Sequence, residues 1–147
     1  MFRGVSGFLV LFVLLTAVPT VCHAETEPPA QLLAEAMAGA RDAQFELGEF
    51  YYRDKSRRDL DKARGWYSKA AEAGHPKAQA IMGYFLINGV GVEKDIDAGV
   101  EWYKKAVAQG QHMAEYNLGL MYEKGQGGHK DVARAVELFK EAARDPR

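Results

Sequence analysis

The chain has 147 residues, 48% hydrophobic and 27% charged, with 19 basic against 20 acidic side chains and a formal net charge of −1. That length predicts one domain, or one short array, with enough chain to bury a core. The balanced charge excludes sequence-independent nucleic-acid binding, which needs clustered excess Lys and Arg, and the full apolar quota excludes wholesale disorder.

The first segment reads as a targeting element. Arg3 supplies a positive start, Phe8 to Val18 form an apolar run broken only by Thr16, and Pro19 ends it. Cys22 and Ala24 then place small residues at the −3 and −1 positions of a cleavage site, so residues 1–24 are expected to be a secretory signal peptide cut before Glu25. An uncleaved anchor needs about 18 to 20 apolar residues, more than this run provides. Lipid modification at Cys22 would want a small residue before the cysteine, where Val21 stands. Cleavage leaves residues 25–147 with 18 basic and 20 acidic side chains and no cysteine, so packing alone must stabilise them. No stable membrane insertion is expected after cleavage. The expected location is the periplasm for a Gram-negative source and the exterior otherwise.

The remainder repeats itself. Pro28 to Ala38 reads as a lone second helix of an incomplete unit. Three full units follow, about 39–73, 74–109 and 110–145, with a period of 35 and then 36 residues. Each opens on Gly, places Ala four residues on (Ala43, Ala78, Ala114), and continues with a large apolar residue before Gly: Leu47-Gly48, Met82-Gly83, Leu118-Gly119. Each closes on aromatic or large apolar pairs and small pairs, as in Trp66-Tyr67 with Ala70-Ala71, Trp102-Tyr103 with Ala106-Val107, and Leu138-Phe139 with Ala142-Ala143.

Within a unit the apolar period is helical twice, as in Ala43, Leu47, Phe50 and Tyr51, then Leu60, Ala63, Tyr67, Ala70 and Ala71. Asp59, Asp95 and Asp131 are placed to cap the second helices, and Pro76 suits a first turn. The count is seven helices, hence an all-α solenoid. Mid-helix Gly48, Gly83 and Gly119 each cost about 1 kcal/mol of helix propensity. They predict close helix crossing, with Ala70, Ala106 and Ala142 expected on the facing helix.

Chemistry finds few reagents. Residues 25–147 hold Ser56, Ser68 and Thr26 as their only hydroxyl side chains besides tyrosine, none in a nucleophile-elbow context. His75, His112 and His129 have no i,i+3 or i,i+4 histidine partner, so they are expected at surfaces or caps and no metal is implied. The pairs Asp59/Asp61 and Asp95/Asp97 sit at helix starts, where the macrodipole explains them. Gly89-Val90-Gly91 and Gly125-Gln126-Gly127-Gly128 lack the strand and Lys-Ser/Thr of a phosphate loop and read as left-handed helix ends. Arg53, Lys55, Arg57, Arg58, Lys62 and Arg64 lie among three aspartates, a solvated mixed-charge face or a weak patch for an acidic partner.

The strings Ala78-Gln79…Gly83, Tyr116-Asn117-Leu118-Gly119-Leu120-Met121-Tyr122, Gly125-Gln126-Gly127 and Trp102-Tyr103-Lys104-Lys105-Ala106 resemble Sel-1-like repeats. These are relatives of tetratricopeptide repeats, and the resemblance covers about residues 28–145. It implies a right-handed α/α solenoid of about three repeats preceded by one extra helix. Repeat one departs, with Asp54-Lys55-Ser56 where its successors have Gly89-Val90-Gly91 and Gly125-Gln126-Gly127, and Leu138 replaces the tryptophans at Trp66 and Trp102. The resemblance further implies a non-catalytic, cofactor-free scaffold or adaptor that binds a protein partner on the concave face of its first helices. There the exposed positions are Glu49, Tyr52, Tyr84, Ile87, Leu120 and Glu123. Two alternatives come with the family: an inhibitor or immunity-type protein neutralising a secreted enzyme or toxin, and a hydrolase such as a β-lactamase. The cysteine-rich relatives of the hydrolase reading have paired cysteines that this chain lacks.

Overall fold

A computed structural model describes residues 27–53 and 59–144, which contain seven helices: α1 (Ala30–Met37), α2 (Arg41–Arg53), α3 (Leu60–Glu72), α4 (Pro76–Asn88), α5 (Ile96–Val107), α6 (His112–Lys124) and α7 (Val132–Ala142). Each packs chiefly on the helix before it and the helix after it, which makes the array a solenoid. The first helices of the units are α2, α4 and α6, the second α3, α5 and α7, and α1 is the unaccompanied second helix. The segment 1–24, expected to be a signal peptide, and the run 54–58, with Lys55, Ser56, Arg57 and Arg58, lie outside the described residues.

Local chemistry sets the helix ends. Asp59, Asp95 and Asp131 accept from the amides of Lys62, Ala98 and Arg134 at 3.0, 2.9 and 2.9 Å, capping α3, α5 and α7. The first helices are capped differently. His75 Nδ1 accepts from the Ala78 amide at 3.2 Å with Pro76 following it, and Gln111 Oε1 accepts from the Ala114 amide at 3.0 Å. Gly89 and Gly125 end α4 and α6 in the left-handed region, φ 70° in both, where a side chain would be strained. The turn of the first unit is one residue shorter, yet its end is tied as in the others: Asp59, Asp95 and Asp131 donate their amides to the carbonyls of Tyr51, Leu86 and Tyr122.

The mid-helix glycines mark close crossings, but with a different partner from the one expected. A Cβ on Gly48 would stand 2.6 Å from Tyr67 Cδ1, one on Gly83 2.7 Å from Tyr103 Cδ1, and one on Gly119 2.7 Å from Phe139 Cε1. The glycines therefore receive the flat ring of the second helix, not Ala70, Ala106 or Ala142. Those alanines lie three residues further along, with Ala70 and Ala106 fully buried. In the middle unit the backbones themselves meet, because a Cβ on Gly83 would also lie 3.0 Å from the Gly99 carbonyl.

Successive units are joined by a recurring buried amide. Gln44 Nε2 donates to the Ala36 carbonyl and Gln79 Nε2 to the Ala71 carbonyl, both at 3.2 Å, so each first helix is bonded to the end of the preceding second helix. Such a bond contributes about 0.5–1.5 kcal/mol net. Gln79 Oε1 in turn accepts from Gln109 Nε2 at 2.8 Å, whereas Gln44 Oε1 has no partner among the described residues. The third unit has Glu115 in this place, buried and 3.0 Å from His112 Nδ1.

Candidate functional site

The glycine notches decide what reaches the far side of the first helices. The Tyr67 ring crosses α2 at Gly48, is fully buried, and delivers its hydroxyl to Glu49 Oε1 at 2.7 Å. Burial first, and the Glu49 carboxylate second, push the Tyr67 phenol far above its ordinary range. The Tyr103 ring crosses α4 at Gly83, and its phenol is hydrogen-bonded to the Asn117 side chain. Burial, reinforced by Tyr84 and opposed by Asn117, pushes Tyr103 up to about 12. Phe139 repeats the crossing at Gly119 without a hydroxyl.

Glu49, Tyr84 and Leu120 thus hold one position in three successive units, each just beyond the notch. Tyr84 is 45% exposed, Leu120 half-buried, and the Glu49 carboxylate is shared between the Tyr67 hydroxyl and Arg53 Nε at 2.5 Å. Two residues that sequence reasoning missed complete the row. Ile81 is half-buried against the cluster that holds Tyr67, and Asn117 stands beside the Tyr103 phenol. Both lie three residues before the Tyr84 and Leu120 positions, one helical turn back on the same face, which was the available signal. Met113, 46% exposed, extends that face one turn further on α6.

The remaining candidates stand elsewhere. Tyr52 is half-buried, its ring 6.2 Å from Tyr67 and 5.8 Å from Phe85, so it joins α2 to α4. Ile87 is half-buried and fills the space left by Gly99, where a Cβ would come within 2.5 Å of Ile87 Cγ1; its side chain serves α4–α5 packing. Glu123 is exposed near the end of α6.

Other chemistry is local. His75 stacks on Phe45 with centroids 4.3 Å apart while capping α4, and burial lowers its basicity despite Asp42 nearby. His129 is exposed, and Ser68 donates to Glu72 at 2.9 Å one turn on. Of the basic run, Arg53 pairs with Glu49, Lys62 with Asp59 at 3.3 Å, and Arg64 with Asp61 at 3.3 Å and the Gly91 carbonyl. No group of His, Cys, Asp and Glu among the described residues could hold a metal ion, and no helix among them is long and apolar enough to cross a membrane. An open concavity of about 780 Å³ is lined by Leu86, Glu93, Lys94, Asp95, Ile96, Asp97 and Gly127. It lies where α5 begins, and Asp95 is occupied there as the helix cap.

Seven helices in nearest-neighbour packing, with a notch and ring repeated three times, define an α/α repeat scaffold. A family model, the Sel1 repeat, matches residues 41–75, 76–111 and 112–145, and the chain belongs to that family. Sel1 repeats are generally protein-interaction scaffolds. A crystal structure of a Sel1 repeat protein from Oxalobacter formigenes is 38% identical with a TM-score of 0.71, covering 80% of this chain and 89% of that one. A protective antigen present in uropathogenic Escherichia coli strains is 40% identical with a TM-score of 0.73, over 80% of this chain but only 25% of that one. The Helicobacter pylori cysteine rich protein B is 26% identical with a TM-score of 0.61, over 78% and 87% of the two chains. No curated protein matches the sequence.

Proposed function

We propose that the chain is an exported, non-catalytic scaffold that holds a protein partner on the row formed by Glu49, Ile81, Tyr84, Asn117 and Leu120. The observation that carries this reading is Tyr84, a large aromatic side chain left 45% exposed in the middle of that row. Exposed aromatic side chains bordered by polar groups are the usual anchors of protein interfaces. The export half of the reading rests on the apolar run and cleavage pattern of residues 1–24.

The test is partner capture by wild type and Tyr84→Ala from the native compartment. Truncating an anchor costs about 2–4 kcal/mol of binding, so capture should fall at least tenfold. The melting temperature should hardly move, because a side chain this exposed carries little of the core. Loss of thermal stability would assign Tyr84 to inter-repeat packing instead. Unchanged capture and unchanged stability would move the working surface elsewhere, with the Arg53–Arg64 edge next in line.

A further inference from the structure

The row is chemically polarised. Its α2 end is a carboxylate: Glu49, whose side chain is 19% exposed, is held by the buried Tyr67 hydroxyl and faced by Arg53, whose side chain is 79% exposed. Glu46 and Asp42 stand one and two turns earlier on the same face of α2, both exposed. The α4 and α6 parts of the row are apolar and amide in character, made of Ile81, Tyr84, Asn117 and Leu120. Lys77, the basic residue at the start of α4, is two turns away from the level of Tyr84.

The two oxygens of Glu49 have partners of different kinds. The Tyr67 hydroxyl arrives through the core and is fixed by the notch at Gly48. Arg53 comes from solvent, in the last turn of α2, on a long side chain that gains little from an exposed ion pair. A carboxylate oriented by a buried donor and covered by an exchangeable guanidinium is suited to an incoming cation. We propose that Glu49 receives a cationic side chain of the partner segment in place of Arg53, while an apolar side chain of the same segment rests on Tyr84 and Leu120.

Spacing follows from the helices. The Tyr52–Phe85 ring contact at 5.8 Å links α2 to α4 through two long side chains, so their axes lie at or beyond the roughly 8–10 Å of directly packed helices. An extended chain advances roughly 3.3 Å per residue, so at least about three residues separate the cation from the apolar anchor. The proposal rests on the binding row described above and specifies what that row selects.

The experiment measures fluorescence anisotropy with the purified native protein and two labelled alanine-based peptides. One carries a pair of lysines followed, about three residues on, by a pair of leucines; the other has glutamates in place of the lysines. The basic peptide should bind at least tenfold more tightly, with the difference shrinking as salt is added. Glu49→Gln keeps an acceptor for Tyr67 and should remove most of the preference. Arg53→Ala should strengthen basic-peptide binding several-fold by leaving Glu49 uncovered. Tyr84→Ala should weaken both peptides. Equal binding of the two peptides, binding of neither, or a preference unaffected by Glu49→Gln overturns the cation assignment. If Tyr84→Ala still abolishes partner capture in those cases, the row remains the binding face and only its proposed chemistry falls. Should Tyr84→Ala leave both capture and peptide binding intact, the row itself is refuted.

Discussion

Gly83 and Gly65 make opposite predictions for the same substitution. Replacing glycine by alanine within a helix gains up to about 1 kcal/mol from propensity and reduced chain entropy. Gly65 lies in α3 with nothing within 4 Å of a Cβ built there, so Gly65→Ala should realise most of that gain. At Gly83 the new methyl would fall 2.7 and 2.9 Å from two Tyr103 ring carbons and 3.0 Å from the Gly99 carbonyl oxygen. The ring is 2% exposed and enclosed by core, and the carbonyl is backbone, so neither yields cheaply. Overpacking of this kind costs about 1–3 kcal/mol, which against the propensity term leaves a net loss of up to roughly 2 kcal/mol. Urea denaturation followed by circular dichroism separates the two effects. The midpoint should fall for Gly83→Ala and rise for Gly65→Ala, at unchanged slope. A Gly83→Ala protein as stable as wild type would show that helix propensity, not ring packing, governs that position.

Three further outcomes follow from individual contacts. The unpartnered Gln44 Oε1 should be satisfied by Ala73→Gln, since Ala73 occupies the place of Gln109 one unit earlier; a gain of about 0.5–1.5 kcal/mol in urea is expected, and no gain in a Gln44→Leu background. His75 must be neutral at Nδ1 to cap α4, and burial holds its folded basicity below the ordinary value of 6.5. Its contribution is therefore present above about pH 6.5 and lost as pH falls below it. Thermal melts should show that loss, flattened in His75→Asn. The intact mass of protein recovered from its native compartment should begin at Glu25, whereas retention of residues 1–24 or lipid on Cys22 would overturn export by ordinary cleavage.

The helices and their ends were legible because they depend on neighbours in sequence: an aspartate before a periodic run, a proline at a first turn, a glycine where φ turns positive. The notch partner was not. Tyr67 and Ala70 share one buried stripe on α3, and periodicity assigns the stripe without fixing how α3 is rotated against Gly48. Ile87 shows the same limit at another place. Its position relative to Gly83 matches that of exposed Glu123 relative to Gly119, but Gly99 on α5 leaves a space that only this unit's isoleucine fills. Where the equivalent residue is Ala63 or Ala135, no such space is offered. The buried amides were half-visible, as Gln44, Gln79 and Glu115 at one repeat position, although their acceptors lie on preceding helices and emerge only from packing.

The proposed function puts partners on the first helices, beside the glycine notches. Photocrosslinking in the native compartment tests it most directly, with a photoreactive residue placed in turn at Tyr84, at Leu120, and at exposed Glu101 and Glu137 on the second helices α5 and α7. One partner adduct is expected from positions 84 and 120 and none from 101 and 137. Adducts confined to 101 and 137 would contradict that placement.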